Sequence, residues 1–299
     1  MIILLGGSGY VGSAFARKLE FLQVNYCSIS RSQVDYTQRS RLIELIQGVK
    51  PSFLINAAGY TGKPNVDACE IHKADCLLGN AVLPGVIREA CEQFRLPWGH
   101  VSSGCIYNGQ RDDGRGFREI DKPNFCFRSP PCSFYAGSKA LGEECLQDSE
   151  YVFVWRLRIP FNHIDCERNY LSKLMRYDRL LDVTNSITHL DDFVDACLKS
   201  WDLRIPFGVY NITNTGSITT REVVTMIQQK IDLEREFRFF KNEMEFMDSV
   251  ARTPRSSCIL DNGKLLAAGI PMRDLRDAIS EALGNWLPAK TDIAAIVPS

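Results

Sequence analysis

The sequence lacks the charge bias and the long hydrophobic runs that mark nucleic-acid-binding and membrane-spanning proteins. Its 35 Lys and Arg are balanced by 36 Asp and Glu, and no basic cluster stands out. This balance excludes the long-range field that draws a protein to nucleic acid or to an anionic membrane. The first apolar run ends at Leu5, far short of a signal or membrane-spanning segment, so we expect a buried strand there. A small-molecule substrate is therefore favoured.

The sequence also lacks the cysteine and histidine spacings of metal sites and disulfide frameworks. Its 11 Cys show no repeated C-x-x-C pattern, and His72, His100 and His189 lie too far apart to form a motif. We therefore predict no metal, and we interpret the cysteines as buried thiols of a reducing, cytoplasmic compartment. With 299 residues, 45% of them apolar, the chain can bury a large core without such supports.

Short apolar runs alternate with segments of helical periodicity. Strands are predicted at 2–5, 25–30, 52–56, 100–102 and 151–157, and helices at 10–24, 39–48, 86–94 and 134–146. The alternation predicts an α/β fold, a Rossmann-like doubly wound parallel sheet. Beyond Pro160, predicted helices at 170–176, 190–201 and 220–231 and a strand at 209–212 indicate a smaller C-terminal α/β lobe. We expect domains at 1–159 and 160–299, and we leave open that the chain crosses between them.

Three glycines follow the first predicted strand. Gly6, Gly9 and Gly12 have G-x-x-G-x-x-G spacing, and Tyr10 and Val11 begin the first helix. Such a turn lets a pyrophosphate approach the free N–H groups of the helix. A glycine-rich turn without a ligand is the alternative, which the position between strand and helix disfavours.

The second predicted strand ends at Ser30, Arg31 and Ser32, where an NAD-binding site usually offers a carboxylate to the ribose. Arg31 favours a 2′-phosphate and hence NADPH, which makes residues 1–159 an NADP-binding domain. Asp35 is near enough to leave NADH open, and Arg31 could also be a solvated arginine.

A Tyr-x-x-x-Lys pair lies on the predicted helix at 134–146. Tyr135 and Lys139 share one helix face, and we expect the Lys139 ammonium to lower the pKa of the Tyr135 phenol. Ser103 follows a predicted strand at the edge where open α/β sheets bind ligands. Together these groups suit proton transfer to a carbonyl oxygen that receives a hydride.

With these features the chain resembles the extended short-chain dehydrogenase/reductases. Within that family it is most similar to the plant-type nucleotide-rhamnose synthases and to the dTDP-4-dehydrorhamnose reductases. The resemblance covers nearly the whole chain and is carried by the segments at 56–67, 69–73, 104–107, 122–125, 156–160 and 168–173. The stretch 126–132 looks several residues longer than in that family, which puts local substrate contacts in doubt.

The resemblance implies further site residues. Besides the glycine turn, Arg31 and Lys139, the cofactor contacts are assigned to Asn56, Ala57, Ala58, Tyr60 and Asn80. Substrate contacts are assigned to Thr61, Tyr107, Asn124, Asn162, Arg168, Asn169 and Arg255. Arg255 suits a pyrophosphate, although a surface loop arginine is a competing interpretation.

The resemblance also assigns an acid–base pair to Cys105 and Lys173. A ketone at C4 of a sugar acidifies C3 and C5, and Ser103 and Tyr135 can stabilise the resulting enolate. We expect a nearby cation to increase the thiolate fraction of Cys105. His163 could replace Lys173 as the acid, because related fucose-forming enzymes use histidine.

The sequence therefore predicts an NADPH-dependent 3,5-epimerase/4-reductase that converts UDP- or dTDP-4-keto-6-deoxy-glucose to nucleotide-L-rhamnose. A 4-reductase without epimerase activity and a non-catalytic NADP-binding regulatory subunit are the alternatives. The base of the nucleotide and a homodimeric state are left open.

Overall fold

The fold is described from a computed structural model, which describes residues 1–231 and 234–289. Its strands are β1 (Ile2–Leu5), β2 (Tyr26–Ile29), β3 (Phe53–Asn56), β4 (Trp98–Ser103), β5 (Val152–Leu157), β6 (Pro160–Phe161), β7 (Arg179–Leu180), β8 (Thr184–Asn185), β9 (Thr188–His189), β10 (Gly208–Asn211), β11 (Ile218–Thr219) and β12 (Arg238–Phe239). Its helices are α1 (Tyr10–Phe21), α2 (Arg39–Val49), α3 (Ala68–Ile71), α4 (Lys73–Leu77), α5 (Leu83–Gln93), α6 (Phe134–Cys145), α7 (Tyr170–Arg176), α8 (Leu190–Asp202), α9 (Thr220–Ile231), α10 (Glu243–Ser249), α11 (Gly263–Ala267) and α12 (Leu275–Gly284).

The central sheet has six parallel strands in the order β10-β5-β4-β3-β1-β2. The strands β1, β3 and β5 are buried at every residue because helices cover both faces, which explains their continuous apolar runs. The chain passes from β1 outward to β2 and then returns to β3 on the other side of β1. This reversal opens a crevice beyond the carboxyl ends of β1 and β3, where open α/β sheets bind ligands.

Two apolar layers hold helices against the sheet. On one face, α1 and α8 pack around Phe15, Phe53, Trp155 and Phe193. On the other face, α2, α5 and α6 cover a second layer that includes Trp98. Within the described chain, no helix has the length and apolar character needed to cross a bilayer.

The second lobe is built from short elements. It contains the strand pairs β6–β9, β7–β12 and β8–β11, packed with α7, α9 and α12 around a separate core. The chain leaves this lobe after β9, because α8 packs on α1 and β10 joins the central sheet beside β5. The central sheet therefore contains strands from both sides of the expected boundary at 159/160. The division into two domains stays a prediction.

Most predicted elements form within a few residues of their expected bounds, and the α/β class with a parallel sheet is confirmed. The strand predicted at 209–212 forms, but it completes the central sheet. The helix predicted at 86–94 was too short, since α4 and a π-helical turn at Leu78–Val82 lead directly into α5. Gly79 and Asn80 hide this continuity in the sequence, because they interrupt the apolar periodicity.

Candidate active site

A cleft of about 1310 Å³ runs between the carboxyl edge of the sheet and the second lobe. It extends from the glycine turn, past the ends of β3 and β4, to α7 and the segment around α10. The predicted site residues that line it are Gly9, Tyr10, Val11, Arg31, Ala57, Ala58, Thr61, Asn80, Ser103, Cys105, Tyr135, Lys139, Arg168, Lys173 and Arg255. Gly6 and Tyr60 line a smaller adjoining pocket that shares several of these residues.

The glycine turn packs against the protein at Gly6 and Gly12 and is open at Gly9, where a Cβ would meet only the Gly6 carbonyl oxygen at 3.4 Å. Gly6 has φ +78°, and a Cβ on it would lie 2.5 Å from the Ala58 nitrogen. A Cβ on Gly12 would lie 2.0 Å from the Gly6 carbonyl oxygen, so Gly12 serves packing of α1 against the turn and does not line the cleft. The first turn of α1 points its free N–H groups towards the cleft, beginning after Gly9. This cradle fits a dinucleotide pyrophosphate.

Arg31 and Asp35, which the sequence left in competition, occupy different places. Arg31 lines both pockets. The Asp35 carboxylate accepts hydrogen bonds from the Thr37 hydroxyl at 2.5 Å and the Gln38 amide at 2.8 Å, which hold it in the turn before α2. Arg31 is therefore the charged group available to a ligand at the end of β2.

The loop after β3 is held by two buried amides. The Asn56 side chain contacts His100 Nδ1 at 2.9 Å and accepts from the Ala58 N–H at 3.1 Å. Asn80 accepts from the Tyr60 N–H at 2.9 Å and donates to its carbonyl oxygen at 2.8 Å. Asn56 thus positions the loop after β3, while Ala57 and Ala58 of that loop line the cleft.

Ser103, Tyr135 and Lys139 meet in the middle of the cleft. Ser133 caps α6 by accepting from the Ala136 N–H at 3.1 Å, and this start places Tyr135 in the first turn and Lys139 one turn later. The buried Lys139 ammonium donates to the Val101 carbonyl oxygen at 3.0 Å, which ties α6 to β4. Ser103 ends the same strand.

The expected lowering of the Tyr135 pKa is wrong for this arrangement. Enclosure of the phenol raises its pKa, and the nearby Cys105 thiol acts in the same direction, while a hydrogen bond with Ser103 opposes them. Burial also lowers the pKa of Lys139, whose ammonium is directed to the Val101 carbonyl. The phenol is therefore protonated at neutral pH.

The expected activation of Cys105 is also wrong. Burial raises the pKa of this thiol to about 11, although a hydrogen bond with Ser103 and the charges of Arg158 and Lys139 act in the lowering direction. Cys105 lies in a 3₁₀ turn directly after β4, and its N–H donates to the Ser103 hydroxyl at 3.3 Å. Cys105 is a thiol at neutral pH and hence a proton donor in form.

Lys173 faces the cleft from the second lobe with two arginines. Burial, followed by the charges of Arg168 and Arg255, lowers the pKa of Lys173. The Arg168 guanidinium donates to the Gly62 carbonyl oxygen at 2.7 Å, and Arg255 pairs with Asp67 at 2.8 Å. These contacts join the second lobe to the loop after β3. Arg168, Lys173 and Arg255 together make up a cationic cluster on this side of the cleft.

Four predicted substrate contacts are not brought to the cleft wall. Tyr107 is buried and donates to the Asp121 carbonyl at 2.6 Å, and Asn124 exchanges hydrogen bonds with the Asn108 backbone. Asn162 and Asn169 are buried against each other, and Asn169 caps α7. The polar atoms of all four residues hold the protein fold, so we assign none of them to the substrate.

The cleft also has a far end that the sequence did not indicate. Phe240 and Phe246 pack edge to face at 5.3 Å, and the Arg179 guanidinium lies 4.2 Å from the Phe240 ring centre. These residues line the cleft with Tyr177. They come from two separate segments, so neither periodicity nor spacing could have connected them.

This fold and this arrangement of side chains define an extended short-chain dehydrogenase/reductase. The family model described as "RmlD substrate binding domain" matches residues 1–287, and the chain belongs to that family. The resemblance stated from the sequence is thereby confirmed.

Known relatives agree with this placement. A bifunctional dTDP-4-dehydrorhamnose 3,5-epimerase/dTDP-4-dehydrorhamnose reductase of Arabidopsis thaliana is 32% identical over 268 residues, covering 88% of this chain and 85% of that protein. A trifunctional UDP-glucose 4,6-dehydratase/UDP-4-keto-6-deoxy-D-glucose 3,5-epimerase/UDP-4-keto-L-rhamnose-reductase of the same plant is 30% identical over 282 residues. The chain spans 41% of the length of that trifunctional relative.

Solved structures share the fold. A UDP-rhamnose synthase of Acanthamoeba polyphaga mimivirus superposes with a TM-score of 0.87 at 22% identity, covering 95% of this chain and 98% of that one. A Bacillus anthracis dTDP-4-dehydrorhamnose reductase in complex with NADP gives 0.79 at 20% identity, covering 95% and 97%. The comparisons support an oxidoreductase.

Proposed function

We propose that this chain is an NADPH-dependent 4-reductase and 3,5-epimerase of a nucleotide-linked 4-keto-6-deoxyhexose. The observation that carries the proposal is the single cleft that Ser103, Cys105, Tyr135, Lys139 and Lys173 share. The names of the relatives point to the same substrate class.

The cofactor end of the cleft fits NADPH. The open backbone at Gly9 and the N-terminus of α1 suit the pyrophosphate, and Arg31 suits a 2′-phosphate. When bound, NADPH supplies the hydride that reduces C4 of the sugar. Tyr60 and Asn80 keep the adjoining loop in place through their backbone and amide contacts.

The middle of the cleft suits the reduction. The raised pKa of Tyr135 keeps the phenol protonated until negative charge develops on the C4 oxygen, when proton donation becomes favourable. The Ser103 hydroxyl can donate a hydrogen bond to the same oxygen and can therefore also stabilise an enolate. Lys139 holds α6 against β4 through its hydrogen bond to the Val101 carbonyl.

The epimerisation needs a base and an acid on opposite faces of the sugar. Cys105 extends from the sheet side of the cleft and Lys173 from the second lobe. The raised pKa of Cys105 disfavours its thiolate and the lowered pKa of Lys173 eases loss of its proton, so we assign the thiol as the proton donor and Lys173 as the group that accepts the sugar proton after losing its own. The rest of the substrate would extend past Lys173, with Arg168 and Arg255 near the diphosphate and the Phe240–Phe246 pair near the base.

The deciding experiment feeds the unepimerised UDP-4-keto-6-deoxy-D-glucose with NADPH and follows cofactor oxidation and product stereochemistry. We expect turnover to a nucleotide-L-rhamnose. Oxidation only with an already epimerised substrate would favour the 4-reductase alternative, for which the unactivated Cys105 thiol is the supporting observation. No oxidation with either sugar would contradict the proposal.

A variant separates the two activities. Cys105→Ala should lower epimerisation by ~10²–10⁴-fold, the range for losing an acid–base group, while reduction of an epimerised substrate persists. Cys145→Ala, at an exposed cysteine, is the matched control. Equal loss of both activities in Cys105→Ala would contradict the division of roles.

A further inference from the structure

Two short strands of the second lobe bring a pair of histidines and a carboxylate together. The parallel pairing of β6 and β9 sets Phe161 opposite His189. Both segments continue in the same direction, so His163 and Asp191 each lie two residues beyond that pair. One potential ligand atom from each of His163, His189 and Asp191 lies within 4.8 Å of the other two.

His189 is the least accessible member of this cluster. Its side chain and backbone together are only 4% exposed, and its Nδ1 has no hydrogen-bond partner among the residues that the structure describes. A buried imidazole nitrogen without a partner is unfavourable unless a ligand compensates for it. A ligand at His189 Nδ1 would supply the partner that the surrounding protein does not.

A carboxylate and an aromatic ring lie beside the His189 imidazole. Asp192 Oδ1 lies 3.8 Å from His189 Nδ1, and Asp192 is itself held by Arg273 and Asn214. This distance is too long for a hydrogen bond and leaves His189 Nδ1 open, while the negative charge of Asp192 favours a cation beside it. The Phe161 ring, edge to face at 5.3 Å, restrains the imidazole further.

We propose that His163, His189 and Asp191 bind a divalent transition-metal ion, with Zn²⁺ as the occupant that this donor set favours. Two imidazole nitrogens, a carboxylate oxygen and a water would complete a tetrahedral Zn²⁺ shell. Asp191 in the first turn of α8 also interacts favourably with the helix dipole, but this does not account for the two histidines beside it.

The site would link the segment after β6 to α8, next to the cofactor turn. The Tyr10 hydroxyl donates to Asn162 Oδ1 at 3.3 Å, and Asn162 directly precedes His163. The metal is assigned a structural role here, and the proposed reaction does not depend on it.

The test titrates Zn²⁺ and Co²⁺ into the full chain after chelator treatment, using calorimetry for Zn²⁺ and visible absorption for Co²⁺. We expect a single saturable site and a tetrahedral Co²⁺ spectrum without thiolate charge-transfer bands. Asp192→Asn should weaken binding ~10–100-fold, and His163→Gln or Asp191→Asn by more. His72→Gln is the matched control, because His72 is exposed and outside the cluster.

Three results would overturn the proposal. The first is no saturable binding, and the second is unchanged affinity in both His163→Gln and Asp191→Asn. The third is thiolate absorption of the Co²⁺ form, which would move the site to some of the 11 Cys. Circular dichroism of each variant separates lost binding from lost folding, and the two ligand variants at partly exposed positions limit the dependence on buried His189.

Discussion

The two walls of the cleft are built in different ways. The sheet wall carries Ser103, Tyr135 and Lys139 on β4 and α6, where backbone contacts and burial hold each side chain. The wall of the second lobe carries Arg168, Lys173 and Arg255 on short segments, where Arg168 donates to the Gly62 carbonyl and Arg255 pairs with Asp67.

The two walls also differ in the physical property that each gives to its side chains. On the sheet wall, the apolar surroundings of the side chains favour their uncharged forms, as the raised pKa of Tyr135 illustrates. On the other wall, positive charge is concentrated for an anionic ligand, and Asp67 pairs with Arg255. Changes to the sheet wall should therefore affect turnover and stability, and changes to the second lobe should affect substrate affinity.

The largest effect is expected at Tyr135. Tyr135→Phe removes the proposed proton donor and should lower kcat for NADPH oxidation by ~10²–10⁴-fold with little change in KM. Tyr151→Phe, at a tyrosine away from the cleft, is the control. A Tyr135→Phe enzyme with the kcat of the parent would remove Tyr135 from the mechanism.

The next effect concerns stability of the sheet wall. Glu143 and Arg156 form an ion pair at 2.7 Å whose side chains are 10% and 4% exposed, and Ser102 donates to Glu143 at 2.5 Å. Glu143→Gln leaves Arg156 buried without its counter-ion and should lower the free energy of unfolding by ~3–5 kcal/mol.

The adjacent residue supplies the control for this prediction. Glu144 pairs with Arg128 on the surface at 2.7 Å, and Glu144→Gln should cost less than ~1 kcal/mol. Urea denaturation measures both variants. Equal losses would mean that burial does not distinguish the two pairs.

On the opposite wall, Arg255→Gln should raise the substrate KM ~10–100-fold while kcat changes little. The variant loses the proposed charge-assisted hydrogen bond between the guanidinium and the substrate diphosphate. Increasing ionic strength should raise the KM of the parent enzyme in the same direction. Arg252→Gln, at an exposed neighbour, is the control. A loss confined to kcat would place Arg255 with the sheet wall.

The smallest effect is expected at Arg31, which is exposed. Arg31→Ala should raise KM for NADPH about tenfold and leave KM for NADH unchanged, since only NADPH carries the 2′-phosphate. Arg39→Ala serves as the control at another exposed arginine. Parallel changes for both cofactors would contradict the assignment of Arg31.

Local pattern was sufficient for much of the fold. The parallel sheet could be predicted from the apolar runs at β1, β3 and β5 and from the helical periodicity of α6 to α9. Fully buried strands appear as continuous apolar runs, whereas amphipathic helices show a helical period. Local pattern indicated neither the π-helical turn nor the return of β10 to the central sheet. Both depend on contacts with residues distant in the chain, such as Asn80 with Tyr60 and Val209 with Val154.

The sequence by itself determined the glycine turn, the Tyr135–Lys139 spacing and the place of Ser103, since each is a short-range feature of one strand or helix. Only the tertiary structure decided the protonation of Tyr135 and Cys105, the removal of Tyr107, Asn124, Asn162 and Asn169 from the cleft, and the meeting of His163 with His189 and Asp191. The physical reason is that desolvation and hydrogen-bond partners belong to the surroundings of a side chain, and those surroundings come from segments that the chain order keeps apart.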